Sequence, residues 1–187
     1  MEIQKIKYHE ENDATESVDH LIEHRVPWLF MGLLGGLVTV FIISRYEAIL
    51  ALDVRLAFFI PVIVYLSDAV GTQTETIYIR ALAYKKKINF LKYIIKESAV
   101  GLGLGVIFGI ILGIFSMYWL KSLPIGLTVG IAVLINLSIA PLLTLSISNM
   151  LHKRHTDPAL GVGPAATIIQ DLISILIYFA IASIIIF

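Results

Sequence analysis

Apolar residues in this chain are gathered into long runs, and polar residues fill the short stretches between them. A helix needs about 20 residues to cross the hydrocarbon core of a membrane, which is about 30 Å thick. The runs that we predict to be spans are 27–44, 56–83, 100–120, 125–151 and 164–187. In the second span the part from Ser67 to Thr76 is polar, so we expect that helix to be continuous but interrupted.

The composition supports a membrane protein. Hydrophobic residues make up 58% of the chain and charged residues 15%, which is more apolar surface than a soluble core of this length can bury. We therefore predict an all-α integral membrane protein with a transmembrane domain over residues 25–187. The chain has no cysteine, which excludes disulfides and thiolate metal sites.

Residues 1–24 form a short polar segment before the first span. They lack the apolar core of a signal peptide, so we expect the first span to be retained. Within this segment, Thr15–His24 is either a short amphipathic helix at the membrane surface or a frayed polar tail.

Lysine and arginine lie mostly on one side of the predicted spans. Eleven of the 14 lie before the first span, after the second span, after the fourth span or, in the case of Arg80, near the inner end of the second span; the others are Arg45, Arg55 and Lys121. The positive-inside rule then predicts a cytoplasmic N-terminus and an outward-facing C-terminus. We interpret Lys85–Lys87 as a topology determinant that faces anionic lipid.

Polar residues inside two of the spans recur at helical spacing. An ionised aspartate at the centre of a membrane helix costs roughly 2.5 to 3.5 kcal/mol, so Asp171 is expected to face a partner, a water path or an ion. Residues three and four positions apart share one helix face. Such stripes are Pro164, Thr167, Asp171, Ser174 and Tyr178 in the fifth span, and Tyr65, Asp68, Thr72 and Glu75 in the second. The helical rise places Asp171 and Asp68 about 10 and 12 Å from the predicted cytoplasmic face, so we expect them at one level.

The two aspartates have no buried counter-charge, because the clearly apolar parts of the spans contain no Lys, Arg or His. Like charges at one depth repel each other, and an external cation between them is the simplest way to offset that repulsion. Carboxylate, hydroxyl and carbonyl oxygens suit Mg²⁺, Ca²⁺ or Mn²⁺, and Thr167, Thr72 and Glu75 share the stripes with the aspartates. The alternative is a protonated or hydrogen-bonded aspartate that holds helices together.

Two other polar features leave alternatives open. Three polar residues of the fourth span either line the ion path or bridge helices: Asn136, Ser138 and Thr144. Asn136 is the stronger candidate, since an amide in hydrocarbon needs partners. His152 and His155 have metal-binding spacing, but no further ligand is placed near them, and a solvated loop is the favoured interpretation.

Glycines occur in two kinds of setting. We predict helix-packing seams at Gly101, Gly105, Gly109 and Gly113 in the third span, and at Gly32 and Gly36 in the first. We predict that Gly71, Gly161 and Gly163 loosen the backbone and expose carbonyl groups to an ion path.

Several short motifs occur in an order that resembles the membrane domain of MgtE magnesium channels. They are Arg25-Val26-Pro27-Trp28-Leu29, Pro61, Gly71-Thr72-Gln73, Ile79-Arg80-Ala81-Leu82, Asp157-Pro158-Ala159, Gly163-Pro164, Thr167 and Asp171. The resemblance covers about Arg25 to Phe187. It implies a homodimer of five-helix subunits in the cell membrane, with a central pore that passes Mg²⁺ and related divalent cations, including Mn²⁺ or Ca²⁺.

The resemblance also implies roles for individual residues. Asp171 matches the pore aspartate that holds a hydrated Mg²⁺, and Asp157 matches the acidic residue near the cytoplasmic mouth. Thr72 and Gln73 fall in the motif of the pore-facing second helix. Where the family usually has Gly-Asn, this chain has Asp68-Ala69, so a carboxylate stands beside the place of a missing amide and the selectivity for Mg²⁺ is expected to change.

MgtE proteins typically carry a cytosolic N-terminal domain and paired CBS domains before the membrane part. About 24 residues precede the first span here, so we expect a membrane domain without that sensor, and a separate regulatory protein could take its place. The functions weighed are a divalent-cation channel and a secondary transporter that exchanges the cation for Na⁺ or H⁺. An intramembrane enzyme is disfavoured because the protease motifs His-Glu-x-x-His and Gly-x-Gly-Asp are absent from the sequence.

Overall fold

The protein is a bundle of long helices. The computed structural model describes residues 17–84, 88–153 and 158–186, without side chains for residues 24, 151–153 and 158–165. The helices are α1 (Val18–Arg45), α2 (Glu47–Leu52), α3 (Ile60–Ala83), α4 (Phe90–Leu120), α5 (Leu123–Lys153) and α6 (Pro158–Ile186), and a 3₁₀ helix (Val54–Phe59) leads into α3. In these ranges five helical segments are long and apolar enough to cross a membrane, and no strand is present. The predicted all-helical architecture with five spans is confirmed.

Two helices begin well before the predicted spans. α1 starts at Val18 and α4 at Phe90, because hydropathy marks where a helix enters the hydrocarbon and not where its hydrogen bonding begins. The side chain of Asn89 accepts a hydrogen bond from the backbone N–H of Lys92 and so caps α4. The described part of the N-terminal segment continues into the first span as one helix.

The predicted loosening at glycines was wrong. α3 runs unbroken through Gly71, and α6 begins at Pro158, so Gly161 and Gly163 lie inside a helix. The irregular part of the second span is instead the 3₁₀ helix before Pro61, and a proline in the first turn of α3 costs no hydrogen bond.

The core of the bundle is built around α5, which packs against α3, α4 and α6. Its residues Val129, Val133 and Leu137, each one helical turn from the next, are fully buried. α1 packs against α6 at the edge of the bundle. The helices that carry the two stripe aspartates, α3 and α6, therefore rest against one central helix.

Glycines bring α4 and α5 into backbone contact. A Cβ atom at Gly105 would lie 2.7 Å from the carbonyl oxygen of Leu134, and one at Gly109 would lie 2.7 Å from that of Gly130. The seam predicted for the third span is confirmed. The seam predicted for the first span was wrong within the chain, because a Cβ atom at Gly32 or Gly36 would meet no described atom within 4 Å, and Gly35 packs against Ile168 instead.

Polar contacts fix both ends of the second span. At its start Arg55 donates from Nη1 to the carbonyl oxygen of Leu120 at 3.1 Å and pairs with Asp53 at 2.6 Å. The hydrogen bond from Arg55 lowers the pKa of Asp53, which lies just outside the span. Near its end the hydroxyl of Tyr78 donates to Oδ1 of Asn149 on α5 at 3.2 Å. The second span is therefore tied to both α4 and α5.

Candidate functional site

α3 carries two polar faces that point in different directions. Ser67 and Thr74 are buried against the rest of the bundle. On the other side Tyr65 is 68% exposed, and the side chains of Thr72, Gln73 and Thr76 are exposed while those of Asp68 and Glu75 are half-buried. Because successive helical residues project about 100° apart, α3 packs some of its polar side chains into the core and presents the others on an open polar face.

α6 contributes to the same open face. Thr167 donates from Oγ1 to Oδ1 of Asp68 at 3.1 Å, which joins the two helices at the level of these side chains. Asp171 lies one helical turn beyond Thr167 and is half-buried. Asp171 and Glu75 lie near enough to Asp68 for the like charges of the carboxylates to repel. The structure therefore brings three predicted carboxylates and Thr167 into one region of the chain.

This region does not form a compact metal cage within one chain. Among the described residues, no three His, Cys, Asp or Glu side chains lie close enough to hold a metal ion. Mg²⁺ gives up its water reluctantly and is often held through water by one or two carboxylates. The arrangement in one chain suits an outer contact with a hydrated cation better than direct coordination.

The other predicted site residues fall in different places. Thr72 and Gln73 lie on the exposed side of α3. Asn136 is 2% exposed, and its Nδ2 donates to the carbonyl oxygen of Ser174 at 3.4 Å, so it bridges α5 and α6. Asp157 and His155 lie outside the described residues, as do Lys85–Lys87 and the side chain of His152.

The stripe predicted on the fifth span divides between two environments. Thr167 and Asp171 face the open side, but Ser174 and Tyr178 are each 1% exposed. Ser174 donates from Oγ to Oγ of Ser67 at 3.0 Å, and Tyr178 donates from its hydroxyl to the carbonyl oxygen of Leu56 at 2.8 Å. These two residues fasten α6 to the second span and do not extend the open face.

A buried polar network lies behind the carboxylates; the sequence analysis named Thr144 as a residue that lines the ion path or bridges helices, but it missed Gln170. Gln170, Thr144 and Ser67 are all buried and are linked through their side chains. A signal was present in the sequence: Ser67-Asp68 and Gln170-Asp171 are two pairs in which a neutral polar residue directly precedes a carboxylate. Adjacent helical residues project in different directions, so each pair places its neutral member in the core.

These features define a multi-pass membrane protein with a carboxylate-bearing polar face on two neighbouring helices. The MgtE family model, described as a divalent cation transporter, matches residues 60–181. Because this match covers more than half of the sequence, the chain belongs to the MgtE family.

Curated relatives agree with this assignment. A protein named magnesium transporter MgtE from Enterococcus faecalis is 37% identical over 85% of this chain and 36% of its own length. Proteins of the same name from Bacillus subtilis and Thermus thermophilus are 33% and 32% identical over 85% and 84% of this chain. The chain spans only about a third of the length of these relatives.

Proposed function

We propose that two copies of this chain form a channel that passes Mg²⁺ through the cell membrane, with Asp171 as the main contact for the hydrated ion. The observation that carries this proposal is the open polar face of α3 and α6. Tyr65, Thr72 and Gln73 are exposed on a helix that is long and apolar enough to span a membrane. Hydrocarbon does not solvate hydroxyl, amide or carboxylate groups, so this face requires another covering.

A second copy of the chain supplies that covering. Two identical faces brought together about a two-fold axis enclose a polar path and remove both from lipid. The assembly also completes the ion site, because the described part of one chain offers no cluster of three His, Cys, Asp or Glu side chains that could hold a metal ion. Each copy adds Asp171 and Asp68, and this ring attracts a cation without stripping its water.

Mg²⁺ is the proposed ion for two reasons. The site offers oxygen ligands, which hard cations prefer, and the curated relatives are named magnesium transporters. The membrane potential is the proposed driving force, because a divalent cation gains about 4.6 kcal/mol in crossing 100 mV. We place Asp157 at the cytoplasmic mouth of the path, where it would collect or release the ion.

Charge removal at Asp171 tests the ion site. The full chain is reconstituted into liposomes that contain a Mg²⁺-sensitive dye, and influx is driven by an imposed potential. Asp171→Asn keeps the size of the side chain, so we expect normal folding and loss of nearly all flux. Glu47→Gln makes the same charge change on α2 and is expected to retain flux. Normal flux through folded Asp171→Asn would contradict the assignment.

The energy source is tested in the same liposomes. For a channel we expect influx to follow the imposed potential without any Na⁺ or proton gradient. Influx that requires one of those gradients would instead establish exchange.

Cross-linking tests the assembly, and the absence of native cysteine makes single thiols informative. Thr72→Cys places a thiol on the open polar face, and Gly103→Cys places one on α4 at a position where a Cβ atom would meet no described atom within 4 Å. With a short bifunctional thiol reagent in membranes, we expect cross-linked dimers from Thr72→Cys and few from Gly103→Cys. Equal cross-linking of both variants would count against the proposed interface.

A further inference from the structure

Gln170 directly precedes Asp171 and is held inside the bundle. It is 2% exposed, although glutamine has two donor hydrogens and an acceptor oxygen to satisfy. Its Oε1 accepts a hydrogen bond from Oγ1 of Thr144 on α5 at 2.9 Å, and its Nε2 donates to Oγ of Ser67 on α3 at 3.2 Å. One side chain of α6 is therefore bound to both neighbouring helices.

The space for this amide exists because residue 71 is glycine. A Cβ atom at Gly71 would lie 2.5 Å from Oε1 of Gln170 and 2.6 Å from Oγ1 of Thr144. The end of a free glutamine would turn aside to admit a methyl group. Here it cannot turn aside without losing its hydrogen bonds to α3 and α5.

The buried amide determines which way the next residue points. Successive side chains on an α-helix project about 100° apart. With Gln170 directed into the bundle, Asp171 is directed toward the side on which Thr167 donates to Asp68. A small rotation of α6 about its axis would carry Asp171 toward lipid or into the protein packing. The bonds of Gln170 oppose that rotation.

We propose that Gln170 is a positioning residue for Asp171: its amide, fixed between Thr144 and Ser67, sets the rotation of α6 and aims the carboxylate into the ion path. This inference rests on the proposed function, in which Asp171 contacts the ion. An uncharged buried residue would then control how accurately α3 and α6 place the carboxylate at the ion site.

The first experiment replaces the amide with an apolar side chain of similar length. Gln170→Met retains the packing volume, and the hydroxyls left behind can bond to their own helix, as Ser148 does to the carbonyl oxygen of Thr144 at 2.8 Å. We expect normal folding in detergent and a Mg²⁺ half-saturation concentration raised about ten-fold, the scale found when groups behind a metal ligand are lost. A purely structural role would reduce the folded yield and leave half-saturation unchanged. Unchanged half-saturation in folded Gln170→Met would overturn the proposal.

The second experiment uses Gly71 as an independent way to displace the amide. Gly71→Ala is expected to raise the half-saturation concentration as Gln170→Met does, and the double variant no further, because both changes remove the same hydrogen bonds. Gly103→Ala is the matched control, because a Cβ atom at Gly103 would meet no described atom within 4 Å, and it should leave the Mg²⁺ half-saturation concentration unchanged. Shifts that add in the double variant would contradict the proposal, since Gly71 would then act without Gln170.

A third measurement does not depend on ion flux. The thiol introduced by Asp171→Cys is expected to react quickly with a cationic water-soluble thiol reagent, and more slowly when Gln170→Met is also present. Equal rates, together with Mg²⁺ flux in the unmodified protein, would overturn the positioning role alone. A thiol that stays unreactive, together with no flux in the unmodified protein, would overturn the proposed pore and the positioning role with it.

Discussion

α4 and α5 meet along a row of glycines, and α3 and α6 meet along a row of hydroxyl, amide and carboxylate side chains. In the first contact backbone lies against backbone, with Gly109 next to Gly130, and both surfaces are satisfied within one chain. In the second, Ser67, Gln170 and Ser174 are satisfied by one another, while Thr72 and Gln73 remain exposed. The first contact has only to hold helices together, whereas the second has in addition to present charge to something outside the chain.

The largest expected loss of stability comes from substitutions in the glycine seam between α4 and α5. Gly105→Ala places a Cβ atom 2.7 Å from the backbone oxygen of Leu134, and a backbone cannot move aside as a side chain can, so we expect a loss of about 1–3 kcal/mol of stability. Gly103→Ala on the same helix meets no described neighbour within 4 Å and gains helix propensity worth up to about 1 kcal/mol. The midpoint temperature of thermal unfolding in detergent should fall for Gly105→Ala and rise for Gly103→Ala. Equal shifts would show that the seam is not tightly packed.

On the polar face we expect a substitution to change thermal stability little and Mg²⁺ transport strongly. Asp68→Asn removes the charge and keeps an oxygen that can accept the hydrogen bond from Thr167. We expect unchanged thermal unfolding, several-fold lower Mg²⁺ flux, and altered discrimination between Mg²⁺ and Ca²⁺. Flux equal to that of the unmodified protein would mean that Asp68 only holds helices together.

A smaller effect on stability is expected at Asn136, which is buried between α5 and α6. Asn136→Leu has similar volume and loses one long hydrogen bond to the carbonyl oxygen of Ser174, so we expect a stability change of about 1 kcal/mol or less and normal Mg²⁺ half-saturation. Altered half-saturation in the folded variant would place Asn136 among the residues that line the ion path.

The smallest effect is expected where the second span begins. Arg55 lowers the pKa of Asp53 through a hydrogen bond, so this pair stabilises the fold above the unfolded-state pKa of about 3.9, and the contribution is lost as the pH falls through the lower folded-state pKa. Asp53→Asn should therefore unfold at a slightly lower temperature than the unmodified protein at pH 7, and the difference should vanish in acid. A difference that persists at low pH would assign the effect instead to the hydrogen bond that Oδ1 of Asp53 accepts from the backbone N–H of Arg55 at the start of the 3₁₀ helix.

The carboxylates of the open polar face were easier to predict than the buried polar network behind them. A carboxylate in an apolar run is conspicuous, so Asp68 and Asp171 stood out, and their expected common depth agrees with the hydrogen bond from Thr167 on α6 to Asp68 on α3. Gln170 was not singled out, because the importance of an uncharged side chain depends on which helix lies opposite, and for Thr144 the sequence left open whether it lines the ion path or bridges helices. Gly71 likewise looked like a weak point in α3, although it provides the space for the amide of Gln170.

The sequence by itself determined the class of protein, the number of spans and the residues that carry charge into the membrane, because the energies of transfer from water to hydrocarbon depend on residue type and run length alone. Only the tertiary structure decided which polar residues are satisfied inside the chain. Thr167 and Ser174 occupy one stripe of α6, yet Thr167 binds a carboxylate at the open face and Ser174 binds Ser67 in the core. The physical reason is that a helical stripe is wider than one contact, and the packing of the neighbouring helices divides it.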